Sequence, residues 1–157
     1  MGENQIFIMN GGTISHNTSS AASSAGGGVY VEGTFIMNEG TISGHTVANS
    51  GGAVFNNGIF TMSGGTISGN TAKWGGGVYH EYHAARSSPF TKTGGVIYGS
   101  NASGSQKNTA TDGNNYGHAV YVTANEETGA AALKRNTTAG AGVNLNLRLT
   151  GSEGGWE

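Results

Sequence analysis

Four segments of this chain place a Phe seven residues before an Ile: Phe7 and Ile14, Phe35 and Ile42, Phe60 and Ile67, Phe90 and Ile97. The third copy reads Phe60-Thr61-Met62-Ser63-Gly64-Gly65-Thr66-Ile67-Ser68-Gly69-Asn70, and the two before it keep the Met (Met9, Met37) and the Gly-Thr-Ile-Ser string. Each copy runs on into a small residue followed by Val and an aromatic: Gly28-Val29-Tyr30, Ala53-Val54-Phe55, Gly77-Val78-Tyr79 and Ala119-Val120-Tyr121. Successive Phe residues are 28, 25 and 30 positions apart, and self-similarity at such a period is the mark of a solenoid. Phe-x-Met and Thr-Ile-Ser each alternate with period two around a glycine turn, and Val-aromatic supplies a third short strand. The pattern predicts an all-β, right-handed parallel β-helix of about four three-strand coils over residues 6–122. Phe then stacks on Phe, Ile on Ile and Met on Met.

Residues 1–5 are a polar lead-in, and residues 123–157 are expected to cap the end of the core. Within that cap Val143, Leu145, Leu147 and Leu149 alternate with polar residues, giving one apolar face that closes the last coil. Trp156 is expected to pack there. Thirty glycines and one proline would suggest disorder if scattered, but they recur in register with Val, Ile and aromatics and read as corners. Asn17, Asn70 and Asn101 suit corners where a side-chain amide bonds neighbouring backbone. His16 and His45 take turn positions that suit Gly or Asn, and are read as structural.

With 10% charged residues and a net charge of −2, the chain has no basic stripe for a nucleic-acid backbone or an anionic membrane. It contains no cysteine, so disulfides and thiolate metal sites are excluded. No apolar run approaches the roughly 20 residues of a membrane-spanning helix. Nothing at the N-terminus resembles a signal peptide, and Met1-Gly2 reads as the start of a domain cut from a longer secreted protein.

Function is sought where the repeat fails to repeat, because loops on a rigid scaffold carry binding groups. Insertions fall at His80–Pro89 and at Gly99–Gly117. Asp112 is the single aspartate and the eight glutamates are dispersed, so a paired-carboxylate hydrolase or a calcium-dependent lyase is disfavoured. His80, Glu81 and His83 form the densest ionisable cluster, with His-x-x-His spacing, but read better as loop decoration; no metal or cofactor is expected. Aromatic rings offer faces to the apolar side of a pyranose. Trp74, Tyr79, Tyr82 and Tyr116 are the stacking candidates, with Glu81, His83, Arg86 and Asn115 for hydrogen bonding. Tyr30, Phe55, Tyr79 and Tyr121 recur at one strand position, and the sequence admits both an inward and an outward ladder: Gly28, Ala53, Gly77 and Ala119 share their parity, which also suits a core.

Gly64-Gly65-Thr66-Ile67-Ser68-Gly69-Asn70-Thr71-Ala72, with Gly75-Gly76-Gly77-Val78-Tyr79, resembles the Gly-rich β-helix repeats of large secreted or surface proteins of gut and oral bacteria. In size, repeat style and loop aromatics the chain also resembles the small β-helical carbohydrate-binding modules attached to gut bacterial xylan-degrading enzymes. These resemblances imply a secreted or surface-located, monomeric, non-catalytic module. Such a module binds a plant cell-wall polysaccharide such as xylan and holds a fused glycoside hydrolase near it. The competing expectation is a structural or adhesive β-helix segment, and the third is a polysaccharide lyase or hydrolase.

Overall fold

A computed structural model describes residues 2, 4–83, 89–113, 117–123, 132–146 and 155–157. The first coil consists of β1 (Ile6–Ser15), β2 (Thr18–Ser19) and β3 (Val29–Val31), and the second of β4 (Thr34–Ser43), β5 (Thr46–Val47) and β6 (Val54–Asn56). The third is β7 (Ile59–Met62), β8 (Thr66–Ser68), β9 (Thr71–Ala72) and β10 (Val78–His80). The fourth is β11 (Phe90–Lys92), β12 (Val96–Ile97), β13 (Thr109–Ala110) and β14 (Val120–Val122). β15 (Leu133–Arg135) and β16 (Leu145–Asn146) follow.

All pairings between coils are parallel, with like on like at Phe7, Phe35, Phe60 and Phe90, at Ile14, Ile42, Ile67 and Ile97, and at Val29, Val54, Val78 and Val120, and with register shifts of β1 on β4 around Asn10. The protein is a parallel β-solenoid of about three turns, slightly fewer than the four coils expected. Four rungs stand at each position, with three turns of rise between the first and the last. The Phe rings stack at 5.2, 4.9 and 5.4 Å between centroids, and Phe35, Phe60 and Phe90 are fully buried. Identical residues recur because each rung offers its neighbour the same width and the same rotamer, so like packs on like without voids.

One strand position was not foreseen. β2, β5, β9 and β13 form a sheet of their own, each made of two residues that follow Asn17, His45, Asn70 or Asn108. These four residues build a polar ladder with one repeating pattern, exposed at Asn17 in the first coil and buried at His45, Asn70 and Asn108. Asn17 N–H donates to His45 Nδ1 (3.0 Å), His45 N–H to Asn70 Oδ1 (3.0 Å), and Asn70 N–H to Asn108 Oδ1 (2.9 Å). In return His45 Nε2 bonds Ile14 O (3.1 Å), Asn70 Nδ2 bonds Ile42 O (3.2 Å) and Asn108 Nδ2 bonds Ile67 O (3.0 Å). At the corner after each Ile the backbone leaves the sheet, stranding one N–H and one C=O, and a single side chain from the next coil satisfies both. His45 performs the role of Asn as the neutral tautomer that carries its proton on Nε2. His16 sits at φ +59°, a position taken by Gly44 and Gly69 in later coils, and so is a turn residue as read. Asn101 is not in the ladder: its Oδ1 accepts from Thr138 N–H at 2.7 Å, and Asn108 holds the rung instead.

The last coil is closed by antiparallel strands. β16 pairs with β11, β15 with β14, and Ala139 bridges Ile97. Leu145 and Trp156 are buried, and the Trp156 ring meets Phe90 at 6.4 Å while its Nε1–H reaches Asn146 O at 3.2 Å. Leu147 and Leu149, expected in the same strand, lie outside the described residues. At the position of Met62 the last rung carries Lys92, fully buried, whose Nζ donates to Gly140 O and Val143 O at 2.8 Å each. The lysine thus ends the Met ladder and ties down the cap.

Candidate functional site

The aromatic ladder faces outward. In β3, β10 and β14 the Val residues on either side of the aromatic, or His80 in place of the second, are buried, while Tyr30, Tyr79 and Tyr121 reach solvent and Tyr30 is 39% exposed. The shared parity with small residues misleads because a corner intervenes: Ala53 and Val54 are both fully buried, so alternation starts only at the Val. Left-handed glycines just upstream make that corner, Gly26, Gly51, Gly75 and Gly117 at φ between 61° and 66°. A Cβ on Gly75 would stand 2.5 Å from Val78 O.

Tyr30, Phe55 and Tyr79 stack on one another at 4.9 and 5.2 Å, within 12° of parallel. The faces between these rungs are therefore spent on each other; Phe55 is buried between its neighbours, and Tyr30 and Tyr79 reach solvent. A sugar cannot lie flat on such a column. The column opens at its far end, where Tyr79 and Tyr121 stand 5.6 Å apart and splay by 32°. There Trp74, Tyr79, Tyr121 and Thr123 line a hollow of about 220 Å³.

Trp74 is held from several sides. Its backbone bridges Ser50, its N–H donates to Asn49 O at 3.0 Å, and Gly51 N–H donates to its carbonyl at 2.9 Å. The indole Nε1–H donates to Asp112 Oδ2 at 2.8 Å, and the Lys73 ammonium lies 4.3 Å from the ring centroid. The site's ring is thus fixed before any ligand arrives, which lowers the ordering cost of binding. On the opposite wall Thr123 Oγ1 accepts from Tyr82 N–H at 3.0 Å and retains its own proton to donate. Glu81 follows Tyr79 by two residues, as Thr123 follows Tyr121, so the carboxylate and the hydroxyl share the outer face on neighbouring rungs. Burial, then the Glu81 charge and Tyr121, push the Tyr79 phenol up to about 12; it stays a neutral donor throughout the physiological range.

Of the residues singled out from sequence, Trp74 and Tyr79 line the hollow; Glu81 does not line it but is near enough for its charge to act on Tyr79, and His83 Nε2 lies 3.9 Å from Glu81 Oε2. Tyr82 leans against the hydrophobic core, so its ring does not join the column. Arg86, Asn115 and Tyr116 lie outside the described residues. His80 faces inward, fully buried, with Nδ1 2.6 Å from Asn56 Nδ2, so it is separated from Glu81 and His83, which lie near each other beyond the end of β10. Sequence reasoning missed Tyr121 and Thr123 as members of the hollow. Their signal was present, since both stand one rung from Tyr79 and Glu81 at matching repeat positions.

No protein-family model, curated protein or solved structure matches the chain. The fold and this hollow are therefore what a functional reading rests on.

Proposed function

We propose that the protein is a non-catalytic carbohydrate-binding module whose site is the hollow between Trp74, Tyr79 and Tyr121. The observation that carries this reading is the fixed, partly exposed indole beside a splayed tyrosine pair, with the Thr123 hydroxyl in the same lining. Apolar ring surface with a few oriented polar groups is what a sugar ring requires. The hollow is smaller than the roughly 300–1,000 Å³ that encloses a drug-sized ligand, so it takes one sugar ring, with the remaining chain passing over the neutral surface. A neutral plant hemicellulose such as xylan suits a chain of which only 10% of the residues are charged, and the module would hold an attached hydrolase near that substrate. Asp112, the chain's single aspartate, is engaged by the Trp74 indole, which favours binding over acid/base chemistry. Affinity electrophoresis in gels containing xylan, glucan or mannan tests the proposal. Retardation in at least one gel is expected, and it is lost in Trp74→Ala; unretarded migration of the wild type in all three overturns the reading.

A further inference from the structure

Beside the aromatic column runs a row of polar side chains. Asn57 N–H donates to Val31 O at 2.8 Å, Glu81 N–H to Asn56 O at 2.8 Å and Thr123 N–H to His80 O at 3.0 Å. Asn57, Glu81 and Thr123 therefore stand on successive rungs in one register, each just past the end of its strand. The residues before them, Asn56, His80 and Val122, are buried, and the alternation of a strand turns the three to the side of Phe55, Tyr79 and Tyr121. Burial comes first in raising the Tyr30 and Tyr79 phenols, and the Glu81 charge contributes to both, as a carboxylate beside the column does. Hydrogen-bonding capacity is unspent along this row. Asn57 Oδ1 has no partner among the described residues, Glu81 has the 3.9 Å approach of His83, and Thr123 keeps its own proton to donate. The row has one closed end: β15 pairs with β14 and sets Lys134 opposite Tyr121, so from the hollow the row runs towards the second coil.

We infer that the hollow is the end subsite of a longer track, on which a linear, extended, neutral polysaccharide lies along the solenoid axis with its next sugars over Glu81 and Asn57. This rests on the sugar reading of the hollow. Phe55, Tyr79 and Tyr121 stand 5.2 and 5.6 Å apart, close to the advance per sugar of an extended β-linked pyranose chain, so one sugar meets one rung. The sugar in the hollow stacks on aromatic surface. Those beyond it are held by hydrogen bonds, because the ring faces between rungs are occupied by one another. A carboxylate, an amide and a hydroxyl seek the hydroxyls of a neutral chain, and the negative charge of Glu81 disfavours a chain of acidic sugars. A chain that coils leaves the straight row after the first sugar and gains nothing from it.

Titration calorimetry with the di-, tetra- and hexasaccharides of β-linked xylose, glucose and mannose tests this. In a series that binds, affinity is expected to rise about tenfold or more from the disaccharide to the tetrasaccharide, the effect of two added hydrogen bonds. From there to the hexasaccharide it should change less than about threefold, because the track has ended. In Asn57→Ala and Glu81→Ala the gain with length is expected to disappear, while Glu39→Ala, exposed on β4, binds the tetrasaccharide like the wild type. If circular dichroism shows Asn57→Ala to be unfolded, Glu81→Ala decides, since that side chain is 39% exposed. Equal affinity for the disaccharide and the tetrasaccharide, with both lost in Trp74→Ala, overturns the track and leaves the hollow as a sugar site. So does a gain that continues undiminished to the hexasaccharide, or one that folded Asn57→Ala and Glu81→Ala retain in full. No binding at any length overturns the reading of the hollow and the track with it.

Discussion

Replacing Asn70 with Ala removes the one side chain that serves two stranded backbone groups in the coil before it, the N–H of His45 and the C=O of Ile42. All three residues are fully buried, so water does not take over. Each buried group left without a partner costs roughly 1–3 kcal/mol, and two such groups make about 4 kcal/mol, a large part of the roughly 5–15 kcal/mol by which a domain is stable. With a urea slope of about 2 kcal/mol per molar, the midpoint of unfolding followed by circular dichroism should fall by about 2 M. The matched control is Asn38→Ala. Asn38 belongs to an exposed amide row, donating to Asn10 Oδ1 at 2.8 Å and accepting from Ser63 Oγ at 2.9 Å, and its loss should cost no more than about 0.5 kcal/mol. If Asn70→Ala and Asn38→Ala shift the midpoint equally, burial of the first ladder is not what makes it stabilising and the reasoning fails.

Two pH effects accompany this architecture. Burial lowers the pKa of His45 below its ordinary value of 6.5, the hydrogen bonds to Ile14 and Asn17 notwithstanding, so on acidification the unfolded chain takes up a proton before the folded one does. Stability should be full above 6.5 and fall as the pH drops from there towards the folded-state pKa. His45→Asn, which makes the ladder uniform, should remove that component from urea midpoints measured between pH 7 and 5. Burial, and secondarily Arg135, lower Lys92 from 10.5 to about 8; the folded state prefers the neutral amine, and stability should rise with pH across the window from 8 to 10.5. The full rise is about 3 kcal/mol, and Lys92→Met should flatten thermal midpoints over the same window. A Lys92→Met profile that still rises as the wild type does would refute that assignment.

The scaffold was legible because its information is redundant. Phe, Met and Ile repeat at fixed offsets, and a ladder of like residues leaves a single register available. The orientation of the Tyr30, Phe55, Tyr79 and Tyr121 column was not legible, because alternation applies within a strand and the corner between Ala53 and Val54 breaks it. Asn108 was obscured by distance: Asn70 follows Ile67 by three residues, whereas Asn108 follows Ile97 by eleven. The string Asn108-Thr109-Ala110, which copies Asn70-Thr71-Ala72, could have located it inside the insertion. Trp74 stood out as a residue foreign to the repeat, and it does line the hollow. Tyr82 stood out equally, but an aromatic at a strand exit can pack inward as readily as outward, and this one packs against the core. Tyr121 shares its repeat position with Tyr79, and what distinguishes it is the 32° splay between the two, a property of the terminal rung that no local sequence encodes.

Whether the Trp74 hollow binds a sugar ring is measured directly by titration calorimetry with xylo-oligosaccharides, gluco-oligosaccharides and manno-oligosaccharides. Saturable heat is expected with at least one series, weakened about tenfold or more in Trp74→Ala, which corresponds to at least ~1.4 kcal/mol, and in Tyr121→Ala, with Tyr30→Ala binding as the wild type does. No heat with any series, or equal binding by the wild type and Trp74→Ala, would contradict it.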